Sequence, residues 1–219
     1  ELEQPARPFV VILGGAKVSD KIKVIDRLLE KANTILIGGA MAYTFKLAHG
    51  NQTGKSLVEP EHIHTALDAE SKAKELKVQF LIPSDNVVAE LKDTGKLNKK
   101  GKPVFEPVNP RVNTAADIPA DCEGFDIGPE TAKRYAEVIA GAKTILWNGP
   151  MGMFEDPRFG EGTLAVAKAV AAATANGAKS IIGGGDSVKA INKAKLGSQV
   201  TFMSTGGGAS LELLEGTPL

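Results

Sequence analysis

Residues 9–22 read FVVILGGAKVSDKI. Phe9 to Leu13 are continuous and apolar, with β-branched Val10, Val11 and Ile12 at the centre. Five such residues read as a strand buried on both faces. The run stops at Gly14-Gly15, and an amphipathic pattern follows from about Asp20 to Ala32, with Ile22, Ile25, Leu28 and Leu29 on one face. Strand, glycine turn and helix make the first half of a βαβ unit.

The same unit recurs along the chain. Short apolar runs stand at 34–37, 78–82, 144–147, 180–182 and 200–203, and helical patterns at 60–76, 129–142, 160–176 and 187–195. Pro129 with Glu130 has the composition of a helix first turn. The expected fold is α/β: a six-stranded, mostly parallel sheet with helices on both faces, three layers in all. Glu90 to Ala116 breaks the pattern. It carries Lys92, Lys96, Lys99, Lys100 and Lys102 and three prolines, and reads as a solvated loop or a small antiparallel excursion around Lys100-Gly101.

Five of the six runs end in glycine: Gly14-Gly15, Gly38-Gly39, Asn148-Gly149-Pro150-Met151-Gly152, Gly183-Gly184-Gly185 and, through Ser204-Thr205, Gly206-Gly207-Gly208. Parallel strands share one C-terminal edge, and ligands bind outside it. Helices starting there turn their N-terminal dipoles and N–H groups toward the same crevice. That edge is expected to form a main-chain anion site suited to a polyphosphate. The 24 glycines of 219 residues are the one compositional oddity; 26 Lys and Arg balance 26 Asp and Glu. This neutrality disfavours nucleic-acid and membrane-surface partners. One cysteine, Cys122, excludes an internal disulfide and a cysteine-cluster metal site. No apolar run reaches the ~18 residues of a membrane span, and residues 1–8 do not resemble a signal peptide. A cytoplasmic monomer is expected.

Individual side chains sharpen the anion site. Lys17 and Lys21, four apart after the first glycine pair, repel unless an anion lies between them, which suits a phosphate clamp. Asp186 and Ser187 read equally as a helix N-cap or as partners of phosphate-bound Mg²⁺. Asn148 can donate to phosphate, and Glu155 can accept the hydroxyls of a ribose. There is no G-x-G-x-x-G dinucleotide fingerprint. The segment GNQTGKS, Gly50 to Ser56, is one residue short of a P-loop and follows a helical stretch, so Lys55 and Ser56 are read as a decoy. His62 and His64 diverge on a helix and read as surface residues, as does His49. No catalytic base is apparent.

Taken together, the segments Gly14 to Ile22 (GGAKVSDKI), Ile37 to Phe45 (IGGAMAYTF), Trp147 to Glu155 (WNGPMGMFE), Ile182 to Ser187 (IGGGDS) and Ser204 to Gly216 (STGGGASLELLEG) resemble phosphoglycerate kinase, in the order found in that family. The resemblance covers nearly the whole chain but only the C-terminal half of the family. It implies a Rossmann-like nucleotide-binding domain over 9–219, with 1–8 the end of an interdomain helix and its exit loop. It also implies phosphoryl transfer between 1,3-bisphosphoglycerate and ADP, with ADP or ATP as substrate and Mg²⁺. Gly15, Ala16, Lys17, Lys21, Gly39, Gly124, Asn148, Phe154 and Glu155 would line the nucleotide, with Gly184 and Gly185 beside it. Asp186 would meet the metal and Ser187 the phosphate. Lys17 and the helix start at Gly206, Gly207 and Gly208 would stabilise the phosphoryl group in flight. Ala40 stands where a third glycine is common. The phosphoglycerate-binding N-terminal domain is expected to be missing, so the chain alone would bind nucleotide without turnover. The missing base fits this chemistry, because the acceptor carboxylate, with a pKa near ~3.5, is already ionised. A stand-alone adenine-nucleotide-binding module is the alternative.

Overall fold

The computed structural model describes residues 4–204. Phe9–Leu13 form β1 and Val18–Leu29 form α1. Thr34–Ile37 (β2), Met41–Ala48 (α2), Ile63–Glu75 (α3) and Gln79–Leu81 (β3) complete the first half of the main sheet. Asn86–Leu97 (β4), Pro103–Asn113 (β5) and Cys122–Ile127 (β6) follow, then Pro129–Ala140 (α4). Thr144–Asn148 (β7), Glu161–Ala175 (α5), Lys179–Gly183 (β8), Gly185–Lys193 (α6) and Phe202–Ser204 (β9) make the second half.

The main sheet has six strands in the order β3-β2-β1-β7-β8-β9, every pair parallel. Alternation within β1 divides the core. Phe9, Val11 and Leu13 face α1, α2 and α3, while Val10 and Ile12 face α4, α5 and α6. The expected three-layer α/β sandwich is therefore the observed one. Val18, Val24, Ile25, Leu28 and Leu29 form the buried stripe of α1; such side chains contribute about 1.5–3 kcal/mol each. Tyr135 of α4 is fully buried and donates its hydroxyl to Ile37 O at 2.7 Å, tying a helix to β2. No described helix is long and apolar enough to cross a membrane.

Strand order reverses between β1 and β7. The chain winds one way through β1, β2 and β3, and the other way through β7, β8 and β9. Crevices open at such a switch point, outside the strand C-termini.

The stretch around residues 90–116 lies in a second sheet, antiparallel, ordered β5-β4-β6. Asn98 and Lys102 close its hairpin, with Asn98 N donating to Lys102 O at 2.8 Å. Only the base of β4 is buried, at Asn86, Val88 and Ala89. Beyond Leu91 β4 is mostly exposed, as is β5, so these two strands carry no apolar signature. Proline at 107 and 110 falls on the edge strand β5, where a missing N–H is tolerated.

Candidate functional site

At the switch point the glycine loops lace together. Gly14 N donates to Asn148 O (2.9 Å), Gly38 N to Leu13 O (2.8 Å) and Gly39 N to Met151 O (3.0 Å). Gly184 N donates to Ser204 O at 3.0 Å. Four of the N–H groups expected to face a ligand are therefore engaged within the protein. Glycine is required here because backbones touch. A Cβ on Gly39, at φ +72°, would lie 2.5 Å from Gly15 N and O.

The helix N-termini are also unequal. On α1, Ser19 N and Oγ donate to the Glu59 carboxylate (3.2 and 2.6 Å), which holds that carboxyl below its ordinary pKa despite burial. On α2, Met41 N donates to Gly15 O at 2.9 Å. α3 is entered through a 3-10 turn, with His62 N on Glu59 O. On α4, Glu130 N and Thr131 N donate to Asp85 (3.0 and 2.8 Å), and on α5, Gly162 N donates to Asp126 at 2.9 Å. Only α6, among the described residues, has no acceptor of the chain on the N–H groups of its first turn. It opens at Gly184 with φ 94° and no side-chain cap. Asp186, read as a possible N-cap, instead sits exposed within that turn. Its positive end is thus left open to an external anion.

Asp126 is fully buried, and burial pushes its pKa up to about 7 against the two backbone N–H groups it accepts, from Gly162 and Ile127; Glu161 adds to the rise. The folded state therefore favours the protonated form. Its contribution is present below the usual carboxylate range and is lost as pH rises through about 7. Relative to Asp126→Asn, the wild-type chain is expected to lose on the order of 2–4 kcal/mol between pH 4 and pH 8. Urea unfolding at both pH values, compared between the two proteins, checks this.

Beside the open turn lies a brace. Lys21 Nζ donates to Asn148 Oδ1, and Asn148 Nδ2 donates to Gly183 O at 3.0 Å. Gly149 N donates to Ser187 Oγ at 2.6 Å. Lys21 is half-buried, and desolvation lowers its pKa against the opposing charge of Asp20. Lys17 is exposed and extended at the N-cap of α1, just before the helix on which Lys21 lies. Asn148 and Ser187 are buried, their side chains already engaged within the protein.

A cleft of about 230 Å³ opens against these loops. Gly15, Ala16, Gly39, Gly124 and Asp186 of the expected set line it together. Phe154 does not; it lines a second cleft of about 270 Å³ between α5 and α6. Glu155 is exposed and lines neither cleft. Gly206, Gly207 and Gly208 lie outside the described residues. Ser56 takes Gly124 N on its hydroxyl at 2.9 Å, and its loop follows α2 rather than a strand. Sequence reasoning missed Tyr43, Leu57, Glu123 and Met153 on the cleft wall. Glu123 was detectable only as the neighbour of Gly124.

An Mg²⁺ ion fits this donor set. Asp186 offers one exposed carboxylate at the cleft, and Mg²⁺ takes one or two carboxylates together with phosphate and water oxygens. The one cluster of three metal-ligating side chains among the described residues is Glu59, Glu61 and His62. His62, read as a surface residue, is half-buried there, 4.0 Å from Glu59. His49 pairs with Glu70 at 2.6 Å.

The family model for phosphoglycerate kinase matches residues 1–217. A phosphoglycerate kinase of Chlorobium chlorochromatii is 51% identical over 218 residues, which is 100% of this chain and 52% of that protein. One of Clostridium novyi is 50% identical over 218 residues, 100% of this chain and 51% of that protein. The structure of phosphoglycerate kinase from Coxiella burnetii superposes with a TM-score of 0.83 at 41% identity, covering 98% of this chain and 52% of that one. That from Pyrococcus horikoshii superposes with a TM-score of 0.72 at 33% identity, covering 97% and 50%. The chain spans about half the length of the relatives it matches.

Proposed function

Because the chain belongs to the phosphoglycerate kinase family, we propose that it supplies the nucleotide side of phosphoryl transfer between 1,3-bisphosphoglycerate and ADP, binding MgADP or MgATP at the sheet's C-terminal edge. One observation carries this reading. The only described helix whose first turn is left open, α6, stands beside a half-buried lysine and a glycine-lined cleft.

The base enters the cleft between Gly15, Ala16, Gly39 and Gly124, and the ribose lies at its mouth beside Met153. The phosphates lie toward the first turn of α6, where the N–H groups of Gly185, Asp186 and Ser187 point outward along the helix axis. Lys17 and Lys21 neutralise their charge, and Asn148 orients Lys21. Glu155, exposed on the loop after Met153, accepts the ribose hydroxyls. Phe154 anchors that loop; its carbonyl accepts from Lys193 Nζ at 3.2 Å. Asp186 would hold Mg²⁺, which would supply charge neutralisation at the phosphates. Proton removal is not needed, because both reacting oxygens are already anionic at neutral pH. Positioning and preorganised positive charge carry the rate.

The phosphoglycerate site belongs, in this reading, to the half of the relatives' length that these 219 residues do not span. A coupled assay tests the division. The chain alone gives negligible turnover, and adding the other half of a relative in trans restores it. Full turnover from these 219 residues alone overturns it. Nucleotide binding with no restoration favours a non-catalytic nucleotide-binding module.

A further inference from the structure

The neutral charge total hides an uneven distribution. Between residues 92 and 106 stand Lys92, Lys96, Lys99, Lys100 and Lys102, against Asp93 and Glu106 alone. None of these lysines forms an ion pair. The stretch is the outer part of the β4–β5 hairpin, and every residue of it but Thr94 is exposed. Its tip has a defined shape: Asn98 Oδ1 accepts from Lys100 N (2.8 Å) and Lys102 N (3.0 Å), and Asn98 O accepts from Gly101 N at 2.9 Å. Apolar side chains stand among the charges. Leu97 is 67% exposed, the most of any large hydrophobic residue described, and Phe105 is 51% exposed. Leu97 pairs with Pro103, and Phe105 follows Pro103 by two residues, so strand alternation sets Leu97 and Phe105 on one face. Sheet edges are ordinarily protected by lysine and proline. That accounts for the lysines and for the prolines of β5, but not for a leucine and a phenylalanine left in water beside them.

We propose that the β4–β5 hairpin docks on an anionic lipid surface, its lysines meeting headgroup phosphates while Leu97 and Phe105 enter the acyl boundary. A cluster of about 4–8 basic residues is what an anionic leaflet attracts, and apolar side chains beside it add buried area. Long lysine stems let the ammonium groups stay at the headgroups while the apolar face goes deeper. The stretch holds no arginine and one aromatic residue, whereas nucleic acid is gripped through arginine forks and stacked aromatics. That difference favours lipid over nucleic acid. The inference is independent of nucleotide binding, because no residue from 92 to 106 lines the cleft at the switch point.

Sedimentation of the whole chain with large unilamellar vesicles tests this. Phosphatidylcholine vesicles with about 30% phosphatidylglycerol are compared with phosphatidylcholine alone at about 0.1 M salt. Wild type is expected to bind the anionic vesicles about 10-fold or more tighter than the neutral ones, and to weaken as salt rises toward about 1 M. One variant carries Lys96→Gln, Lys99→Gln, Lys100→Gln and Lys102→Gln. At about fivefold per lysine, it should bind about 100-fold or more weakly. A second variant, Leu97→Ser with Phe105→Ser, should lose about 10-fold and keep the salt dependence. All six positions are exposed, so both variants should melt with wild type, which shows that they fold. A wild type that sediments with neither vesicle, or equally with both, overturns the inference. So does either variant binding as tightly as wild type. An RNA oligonucleotide held more tightly than the anionic vesicles, through the same lysines, assigns the hairpin to nucleic acid and overturns it too.

Discussion

Lys21→Met is expected to weaken ADP binding about 30-fold or more and to leave adenosine binding unchanged. The lysine reaches from α1 across the switch point to Asn148, whose amide is fixed on Gly183 beside the open turn of α6. Desolvation has lowered its pKa, so the folded site holds the ammonium short of its full hydration. A phosphate oxygen would restore what burial removed. A hydrogen bond to a charged group contributes about 1.5–3 kcal/mol, which sets the size of the loss. Stability should change little, because relief of the desolvated charge is offset by the donor that buried Asn148 Oδ1 loses. A group whose folded pKa is depressed as a cation is destabilising when charged, and Met fills the same channel without charge. Calorimetry with both ligands and a thermal melt on each protein check this. Equal loss of ADP and adenosine would mean that the substitution damages the cleft rather than the phosphate contact.

Gly14→Ala is expected to have the largest effect on folding. A Cβ there would lie 2.0 Å from Pro150 O and 2.6 Å from Gly149 O, and both are backbone. No rotamer change can clear it; β1 and the loop after β7 must separate. That separation breaks the bond from Gly14 N to Asn148 O and loosens the brace on Lys21. The cost is about 3 kcal/mol or more. For a chain of this size that lowers Tm by roughly 6–12 °C. A contrasting substitution, Gly177→Ala, meets nothing within 4 Å, although its φ of +104° strains the backbone locally. It should lower Tm less than Gly14→Ala and leave ADP affinity unchanged. Equal melts for Gly14→Ala and wild type would contradict the close approach.

The main sheet was legible because its strands are buried on both faces. Phe9–Leu13 and Thr34–Ile37 stand out as uninterrupted apolar runs, and the structure bounds them at the same residues. The second sheet was not, because β5 is mostly exposed and β4 is buried only near its base. In β6 the buried Cys122 and Asp126 flank a glutamate and a glycine, so neither period shows. The glycine clusters located the edge, but their use by one another could not be read from spacing. Gly14 and Asn148 are far apart in sequence and adjacent only across β1 and β7. The capping acids were hidden for the same reason. Glu59, Asp85 and Asp126 lie 40, 46 and 36 residues from the N–H groups they accept at Ser19, Thr131 and Gly162. They explain why a row of similar-looking helix starts leaves α6 as the one open turn among the described residues.

A residue-resolved NMR titration with MgADP tests the site most directly. With ligand raised to about 5 mM, enough to reveal even millimolar affinity, amide shifts should saturate together at Gly15, Ala16, Gly39, Gly124, Gly185 and Asp186. The lining of the second cleft, at Gly160, Leu164 and Ala194, should stay still. No saturable shift at that concentration, or shifts confined to the second cleft, would contradict the account.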